Sequence, residues 1–213
     1  MKLSKFYFLI IRFGILRAIY FLLHFYILNI QIKKILGKKL EKYKLLNPGK
    51  LPEKYLDYSF WIFENLLRVF DLELYRKKDL KILDIGCGPG YFIYIANYFG
   101  NYAKGLDLPS NEIYNLLVKE LSLYRDIKEI KKSESLNLEE NKSFDLITAF
   151  MVCFDGHGTN QSWKKIDWMF FIDDIQKNYL KANGRIVLGL NPDPDINNRT
   201  EVELYLKPWL YNG

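Results

Sequence analysis

The sequence predicts an α/β protein, in which a doubly wound, mostly parallel sheet over residues 51–213 follows a helical extension over residues 1–50. A glycine-rich turn joins a short apolar run typical of a buried strand, 81–85, to a segment from Tyr91 that can start a helix. A second strand-like run, 103–108, ends beside an acid. The first 50 residues differ from the rest in charge and apolar content. At 213 residues the chain is long enough for one domain with a buried core and such an extension.

The extension is apolar and strongly basic. It carries eleven Lys or Arg and one acid, a balance of +10, whereas the rest of the chain carries twenty basic and twenty-four acidic side chains, a balance of −4. Its longest stretch without Lys or Arg, 18–32, is about fifteen residues, and a membrane-spanning helix needs roughly 20. No small-residue cleavage site follows, as a signal peptide would require. We therefore expect neither a span nor a signal peptide, and a linker over 44–52 ends the extension.

Polar side chains of the extension fall within an arc of roughly 140° on a helical wheel. Its members are Lys2, Lys5, Arg12, Arg17, His24, Gln31, Lys34 and Lys38. Apolar Phe6, Leu9, Phe13 and Leu16 interrupt the arc, so two interpretations stay open. Either the helices pack over the domain or against a second subunit of a homo-oligomer, or residues 1–44 lie in a membrane interface with their lysines near anionic lipid.

The glycine turn has the pattern D-x-G-x-G-x-G, formed by Asp84, Gly86, Gly88 and Gly90. Glycine removes the side chains that would hold a ligand away from the backbone. The dinucleotide fingerprint G-x-G-x-x-G does not match, because the third glycine comes one residue early and Tyr91 stands in its place. An acid two residues before the first glycine repels a pyrophosphate but suits an ammonium group. The spacing therefore disfavours a nicotinamide oxidoreductase, which stays as an alternative.

Asp107 ends the second strand-like run, downstream of the glycine turn. An acid at this position of a doubly wound sheet commonly binds the two hydroxyls of a ribose. The alternative is a helix cap or an ordinary turn residue. With the glycine turn upstream, we expect the ribose contact.

These motifs resemble those of the class I S-adenosylmethionine-dependent methyltransferases, from about Lys81 to Asn191. Within that range, 143–150 resembles the fourth strand of the family, and 180–188 resembles its next helix end, turn and fifth strand. The resemblance implies a Rossmann-like fold and S-adenosylmethionine as the cofactor. It also implies that the helical segment 56–74 covers that cofactor.

The resemblance further implies the cofactor-binding residues. Asp84 would orient the amino group of the methionine moiety, the glycines would line it, and Asp107 would bind the ribose. The loop after the third strand would border the adenine, although Lys132 replaces the acid that often contacts the adenine amino group. The expected set is Asp84, Gly86, Cys87, Gly88, Gly90, Asp107, Leu108, Ser133, Glu134 and Phe150.

The loop after the fourth strand is expected to face the methyl donor, because ligands bind outside the carboxyl ends of the strands. Methyl transfer to a hydroxyl requires alignment of the acceptor and removal of its proton. His157, one of only two histidines, is the expected base, and Asp155 its orienting partner or an alternative base. The alternative is a loop histidine bonded to backbone. Trp163 and Trp168 are expected to contact the acceptor, and core packing is the alternative for the helix over 168–175.

The acceptor is expected to be a small or lipid-linked hydroxyl compound. An enzyme acting on nucleic acid more often shows a basic face around its active site, and the charge balance of 51–213 is against this. A binding or scaffold protein that keeps the cofactor fold without turnover is the main alternative. No metal site is expected, because Cys87 and Cys153 share no motif and suit small buried residues in a reducing cytoplasm.

The carboxyl-terminal end is expected to be short, either natively or because the chain is cut. The sequence stops soon after Asn191, where the resembled family adds a helix and an antiparallel hairpin. Asn191–Pro194 suits a turn, and Glu201–Leu206 one short strand. Such a partial sheet would leave an exposed edge.

Overall fold

A five-stranded parallel sheet forms the centre of the protein in a computed structural model that describes residues 3–46, 56–108, 112–152, 163–190 and 196–211. Its strands are β1 (Lys81–Ile85), β2 (Tyr102–Asp107), β3 (Arg125–Ile127), β4 (Phe144–Val152) and β5 (Leu180–Leu190). They lie in the order β3-β2-β1-β4-β5, with every neighbouring pair parallel. The chain runs outward from β1 on one side and continues on the other side with β4. The doubly wound prediction is therefore confirmed, with its switch point between β1 and β4.

Helices cover both faces of the sheet. They are α1 (Leu3–Phe13), α2 (Ile15–Leu46), α3 (Tyr58–Asp71), α4 (Tyr91–Tyr98), α5 (Glu112–Glu120), α6 (Lys165–Asp174) and α7 (Ile196–Leu206). Alternate residues of β1 enter two separate cores, because successive strand side chains point to opposite faces. Ile82 packs with α1 to α5, whereas Leu83 and Ile85 pack with α6 and α7.

The start of β5 differs from the prediction of a helix end and turn over 180–184. A π-helical turn, Ile175–Tyr179, continues α6, and the strand begins at once with Leu180. Leu180 pairs with Phe144, but the next pair is Arg185 with Leu146, so the intervening residues bulge out of the ladder. Leu180 is buried while residues 181–183 are exposed. The buried Leu180 therefore pairs with β4 ahead of the regular ladder, which starts at Arg185.

Residues 201–206 form helix α7, so the prediction of a short strand there is wrong. A strand would bury Val202, Leu204 and Leu206 on one face, since its side chains alternate. Leu204 is instead 73% exposed, and the buried pair is Val202 and Leu206, four residues apart, as a helix requires. Beyond α7, Leu210 forms a single parallel bridge with Leu188, and the Tyr211 amide donates to the Leu188 carbonyl at 2.7 Å. The edge of β5 is therefore covered at this point.

The extension forms α1 and α2, separated at Gly14, whose φ of +78° breaks the helix. The Phe21 ring packs against the rings of Phe63 and Phe70, with centroid distances of 5.4 and 5.0 Å. His24 Nδ1 and the Tyr98 hydroxyl lie 2.7 Å apart in a hydrogen bond. Of the two interpretations left open, packing over the domain is therefore confirmed for one face of α2.

The polar arc predicted for the extension does not face the solvent as a unit. Arg12 makes a two-pronged ion pair with Asp71 at the end of α3, with contacts of 2.8 and 2.7 Å. Arg17, His24 and Gln31 are half-buried at the side of α2. The domain thus supplies partners for Arg12 and His24, two members of the arc, as the packing interpretation expects.

Candidate functional site

The glycine turn lies at the carboxyl end of β1, beside the switch point of the sheet. Gly86 and Gly90 have φ values of +66° and +79°, a region that L side chains rarely adopt. A Cβ on Gly86 would lie 2.4 Å from the Val152 side chain, and one on Gly90 would lie 2.5 Å from that of Leu123. These two glycines therefore allow the turn to pack tightly against its neighbours.

Gly88 differs from the other two glycines because the space beside it is open. Its φ is +53°, and the nearest atoms to an added Cβ belong to the Tyr114 ring at 3.7 Å. Its amide donates to Asp107 Oδ2 at 2.5 Å, and the Leu108 amide donates to Asp107 Oδ1 at 2.7 Å. The structure thus brings together the glycine turn and the acid at the end of β2. Each carboxylate oxygen of Asp107 keeps a lone pair for a ligand hydroxyl.

Asp84 is a buried carboxyl group at the base of the turn, only 4% exposed. Burial raises its pKa to about 7, while a hydrogen bond from Thr148 Oγ1 at 2.7 Å and the charge of Arg68 lower that pKa. A buried acid that titrates near neutrality favours a cationic ligand, because a neighbouring positive charge would restore the carboxylate.

Arg68 on α3 is a site residue that the sequence analysis missed. Its Nη1 donates to Asn65 Oδ1 at 2.8 Å, and its guanidinium lies 4.5 Å from the centroid of the Phe150 ring. Burial lowers its pKa, and the charge of Asp84 raises it. Within the described part of the chain, no carboxylate forms an ion pair with it. The one available signal was a lone cation among the apolar residues 66–70 of a predicted helix.

Two adjoining cavities meet at Arg68. The smaller, about 110 Å³, is lined by Asp84, the glycine turn, Asn65, Trp61, Tyr91 and Phe150. The larger, about 770 Å³, lies between α1, α3 and the ends of β4 and β5, where Lys5, Arg12, Glu64, Glu203 and Tyr211 contribute to its wall. Arg68, Phe150 and Met151 line both cavities. Met151 has a φ of +58°, an unfavourable conformation of the kind found at ligand sites.

Aromatic packing holds the boundary between the cavities. The Phe150 ring contacts those of Phe92 and Tyr211 at centroid distances of 5.2 and 5.4 Å. The Tyr211 hydroxyl donates in turn to Asp71, which also receives Arg12. Residues of α1 and residues that follow α7 therefore form part of the wall of the larger cavity.

The other expected cofactor residues differ in burial and in their distance along the chain from the glycine turn. Cys87 is buried beside the turn, and burial together with Asp84 and Asp107 raises the pKa of its thiol. Leu108 is exposed next to Asp107. Ser133 and Glu134 are exposed in the loop after β3, and Ser133 lines a separate cavity beside α6. Their adenine role stays a prediction, since the structure does not bring them to the glycine turn.

The expected acceptor residues are not assembled at the site by the described residues. Asp155 and His157, with Cys153, lie in 153–162, outside the residues that the structure describes. Trp163 and Trp168 are buried in the second core, where their rings pack on each other at 5.2 Å. Neither lines the two cavities, so the core role is the one that the structure gives them. Nor do the described residues contain a group of three His, Cys, Asp or Glu suited to a metal ion.

The described site fits S-adenosylmethionine in three respects. A buried acid and a half-buried cation face one small cavity, as the ammonium and carboxylate of an amino acid require. A glycine-rich turn passes beside them, and the Gly88 amide of that turn donates a hydrogen bond to a second acid, Asp107. The order of strands and this edge of the sheet define the Rossmann-like fold of the class I methyltransferases that the sequence resembles.

Comparison with known proteins agrees with that fold. No family model and no curated protein sequence matches the chain. The chain is similar in structure to the PH0226 protein of Pyrococcus horikoshii, with 19% sequence identity over 78% of this chain and 88% of that chain and a TM-score of 0.52. At this identity the likeness shows the fold alone.

Two further solved structures are more distant. One is a TehB-like SAM-dependent methyltransferase from Corynebacterium glutamicum, 20% identical over 65% of this chain and 70% of that chain, with a TM-score of 0.42. The other is phosphoethanolamine N-methyltransferase 1 from Haemonchus contortus, crystallised with phosphoethanolamine and S-adenosylhomocysteine. It is 18% identical over 52% of this chain and 22% of that chain, with a TM-score of 0.40.

Proposed function

We propose that the protein is a cytoplasmic methyltransferase that uses S-adenosylmethionine and acts on a small or lipid-linked acceptor. The observation that carries the proposal is that an acid, Asp84, and a cation, Arg68, both line one small cavity beside the glycine turn. The cofactor supplies an electrophilic methyl group on its sulfonium. The protein binds that cofactor, orients it and excludes water.

Charge at the cavity assigns the methionine end of the cofactor. Asp84 would receive the α-ammonium, and Arg68 would receive the α-carboxylate in a charge-assisted hydrogen bond. The cavity of about 110 Å³ suits an amino-acid group, and the nucleoside would extend past Gly88 toward Asp107 and Leu108. A nicotinamide cofactor would instead bring a pyrophosphate toward Asp84, which argues against an oxidoreductase.

The larger cavity is the proposed acceptor site. It shares Phe150 and Met151 with the cofactor cavity, so a bound acceptor would lie next to the transferable methyl group. Its wall mixes apolar rings with Lys5, Glu64 and Glu203, a combination that suits a small amphiphilic molecule. The two acids of the described lining, Glu64 and Glu203, would repel a phosphate backbone, which favours a small-molecule acceptor over nucleic acid. His157 as the base and Asp155 as its partner are part of the proposal.

Ligand binding and turnover test the two halves of this proposal separately. S-adenosylhomocysteine is expected to raise the melting temperature of the full chain, and NAD is expected to leave it unchanged. Stabilisation by NAD alone would overturn the cofactor assignment. Incubation of the protein with a native extract and the isotopically labelled methyl donor should then transfer label to a small molecule. Binding without any transfer would favour the non-catalytic alternative.

The proposed base requires its own variant. His157→Ala is expected to lower the transfer rate while the stabilisation by S-adenosylhomocysteine is kept, because a base acts on the acceptor. Removal of a general base typically costs about 10²- to 10⁴-fold in rate. Full turnover by this variant would exclude His157 from the chemistry.

A further inference from the structure

Helix α2 exposes an apolar face to solvent along half its length. Its opposite face is buried against the domain through Ala18, Phe21, Leu28, Ile32, Leu36 and Leu40. Seven large apolar side chains are exposed between residues 15 and 30, and one of them, Tyr20, packs its ring on His24 and Phe70. The other six are Ile15, Leu16, Ile19, Leu23, Tyr26 and Ile30. At 100° per residue these six side chains fall within an arc of about 100°. Between residues 15 and 30 this arc contains no charged side chain, whereas the solvent face of an ordinary surface helix is polar.

Helix α1 enlarges the exposed apolar area. Tyr7, Phe8 and Ile11 are exposed, and Ile11 reaches 84%. We call these three side chains, together with the six of α2, the apolar face. A normal protein surface exposes large apolar residues singly and scattered, whereas here nine of them lie in one short part of the chain. Such a face requires a covering partner.

Positive charge follows directly on the apolar face. Lys33, Lys34, Lys38 and Lys42 are exposed in the next turns of α2. Lys33 and Lys34 lie at the same angles around the helix as Ile15 and Leu16, because a whole number of helical turns, about five, separates each pair. Glu41 is the one acid of this segment. An exposed apolar arc continued by exposed lysines is the pattern of helices that bind anionic lipid surfaces.

We propose that the apolar face and its lysines dock the protein on an anionic lipid bilayer, with α2 lying along the membrane surface. A second copy of the chain is a poorer occupant, because a symmetric contact would bring together two extensions that each carry a balance of +10. The two faces of α2 also define its orientation. By length and composition Ile15–Tyr43 could span a membrane, with a mean hydropathy of 1.5. One side of it is nevertheless packed on the domain through Phe21 and His24, which suits a helix lying in the interface.

The docking surface adjoins the larger cavity. Phe8 belongs to the apolar face and also lines that cavity, as does Lys5 on the same helix. A docked protein would therefore hold the entrance of the cavity close to the lipid. The docking itself does not depend on the proposed methyl transfer, since it uses other residues and a different physical interaction.

Vesicle flotation of the full chain tests the docking. Wild-type protein is expected to float with phosphatidylglycerol-containing vesicles and much less with pure phosphatidylcholine. The triple variant Ile15→Ser, Ile19→Ser, Leu23→Ser should lose binding to both. The triple variant Lys33→Gln, Lys34→Gln, Lys38→Gln should lose on the order of 100-fold in partitioning to the anionic vesicles alone, at about 1 kcal/mol per charge.

A matched control removes exposed apolar side chains elsewhere. Leu204→Ser with Ile166→Ser changes two residues of α7 and α6 that are exposed to a similar extent, and it should float like wild type. All variants should keep the wild-type circular dichroism and melting temperature, since the altered side chains are exposed. Absence of wild-type flotation with anionic vesicles would overturn the proposal. So would a wild-type dimer that the apolar triple variant converts to monomers without any vesicle binding.

Discussion

The smaller cavity at the end of β1, called the crevice below, is lined by the charged groups of Asp84 and Arg68. The amino-terminal extension does the opposite, because it exposes apolar groups to solvent. In the crevice, Asp84 and Arg68 are withdrawn from solvent and face a small cavity. In the extension, apolar residues from Tyr7 to Ile30 are exposed beside exposed lysines. Both arrangements cost free energy in the isolated chain, because charges prefer water and apolar groups avoid it. Each arrangement therefore supports the partner that we propose for it: a zwitterionic small molecule in the crevice, and a lipid surface on the extension.

The largest expected effect is on the free energy of unfolding, and it distinguishes the buried face of α2 from the exposed one. Phe21→Ala should lower the free energy of unfolding by about 3–5 kcal/mol, because its ring is fully buried against Phe63 and Phe70. Tyr26→Ala, on the exposed face of the same helix, should change it by less than about 0.5 kcal/mol. Chemical denaturation of both variants measures the contrast. Equal effects would mean that the extension does not share the core of the domain.

A second prediction concerns the cation of the crevice. Arg68→Gln should weaken S-adenosylhomocysteine binding by roughly 10- to 100-fold, since a hydrogen bond to a charged group contributes about 1.5–3 kcal/mol. Arg76→Gln is the matched control, because Arg76 is exposed and lines neither of the two cavities. Titration calorimetry compares the two affinities. If both variants bind like wild type, Arg68 does not hold the carboxylate.

The acid of the crevice predicts a pH dependence. Since burial raises the pKa of Asp84 to about 7, the carboxylate that pairs with an ammonium becomes less populated as the pH falls below that value. Affinity for S-adenosylhomocysteine should then fall by about tenfold per pH unit below 7. Thr148→Val removes the hydrogen bond that favours the carboxylate and should move the profile to higher pH. An affinity independent of pH between 5 and 8 would contradict the role of Asp84.

The same pKa has the opposite consequence for the ligand-free protein. Because the folded-state pKa of Asp84 lies above its unfolded value, the contribution of this group to stability is complete at pH values below the unfolded value. That contribution is lost as the pH rises through about 7. Asp84→Asn should therefore flatten the difference in unfolding free energy between pH 5 and pH 8. A difference as large as that of wild type would mean that another group titrates.

The smallest expected effect is a loss of stability on substitution of the turn glycines, and it tests the difference between Gly88 and Gly86. Gly88→Ala should cost about 1 kcal/mol in stability, because its positive φ is strained for alanine but its surroundings are open. Gly86→Ala should cost more, since its Cβ would also meet the Val152 side chain at 2.4 Å. Thermal unfolding of the two variants gives the order. A greater loss of stability in Gly88→Ala than in Gly86→Ala would contradict the open space beside Gly88.

Sequence patterns predicted the crevice better than the extension, for a physical reason. The strands predicted at 81–85 and 143–150, the glycine turn, and the position of Asp107 at the end of a strand follow from local sequence patterns. The hydrogen bond from the Gly88 amide to Asp107 was not predicted. Arg68 was missed because its role arises from the packing of α3 over the turn. No spacing rule connects position 68 with Asp84.

The extension and the carboxyl-terminal residues could not be predicted in the same way. An apolar helix gives no indication of which side the domain will bury, so the sequence left two interpretations of the extension open, and the contacts of Arg12 and His24 with the domain became visible only in the structure. Residues 201–206 alternate as a strand does, and only the packing of Val202 and Leu206 on α6 shows that they form a helix. Tertiary contacts decided both regions.

Titration calorimetry of S-adenosylhomocysteine into the full chain at pH 8, for wild type and Asp84→Asn, tests the assignment of the crevice most directly. One molecule should bind per chain to wild-type protein, and the variant should bind at least tenfold more weakly, because an amide cannot balance the ammonium charge. Folded wild-type protein that takes up no S-adenosylhomocysteine would contradict the account, as would equal affinity in the variant.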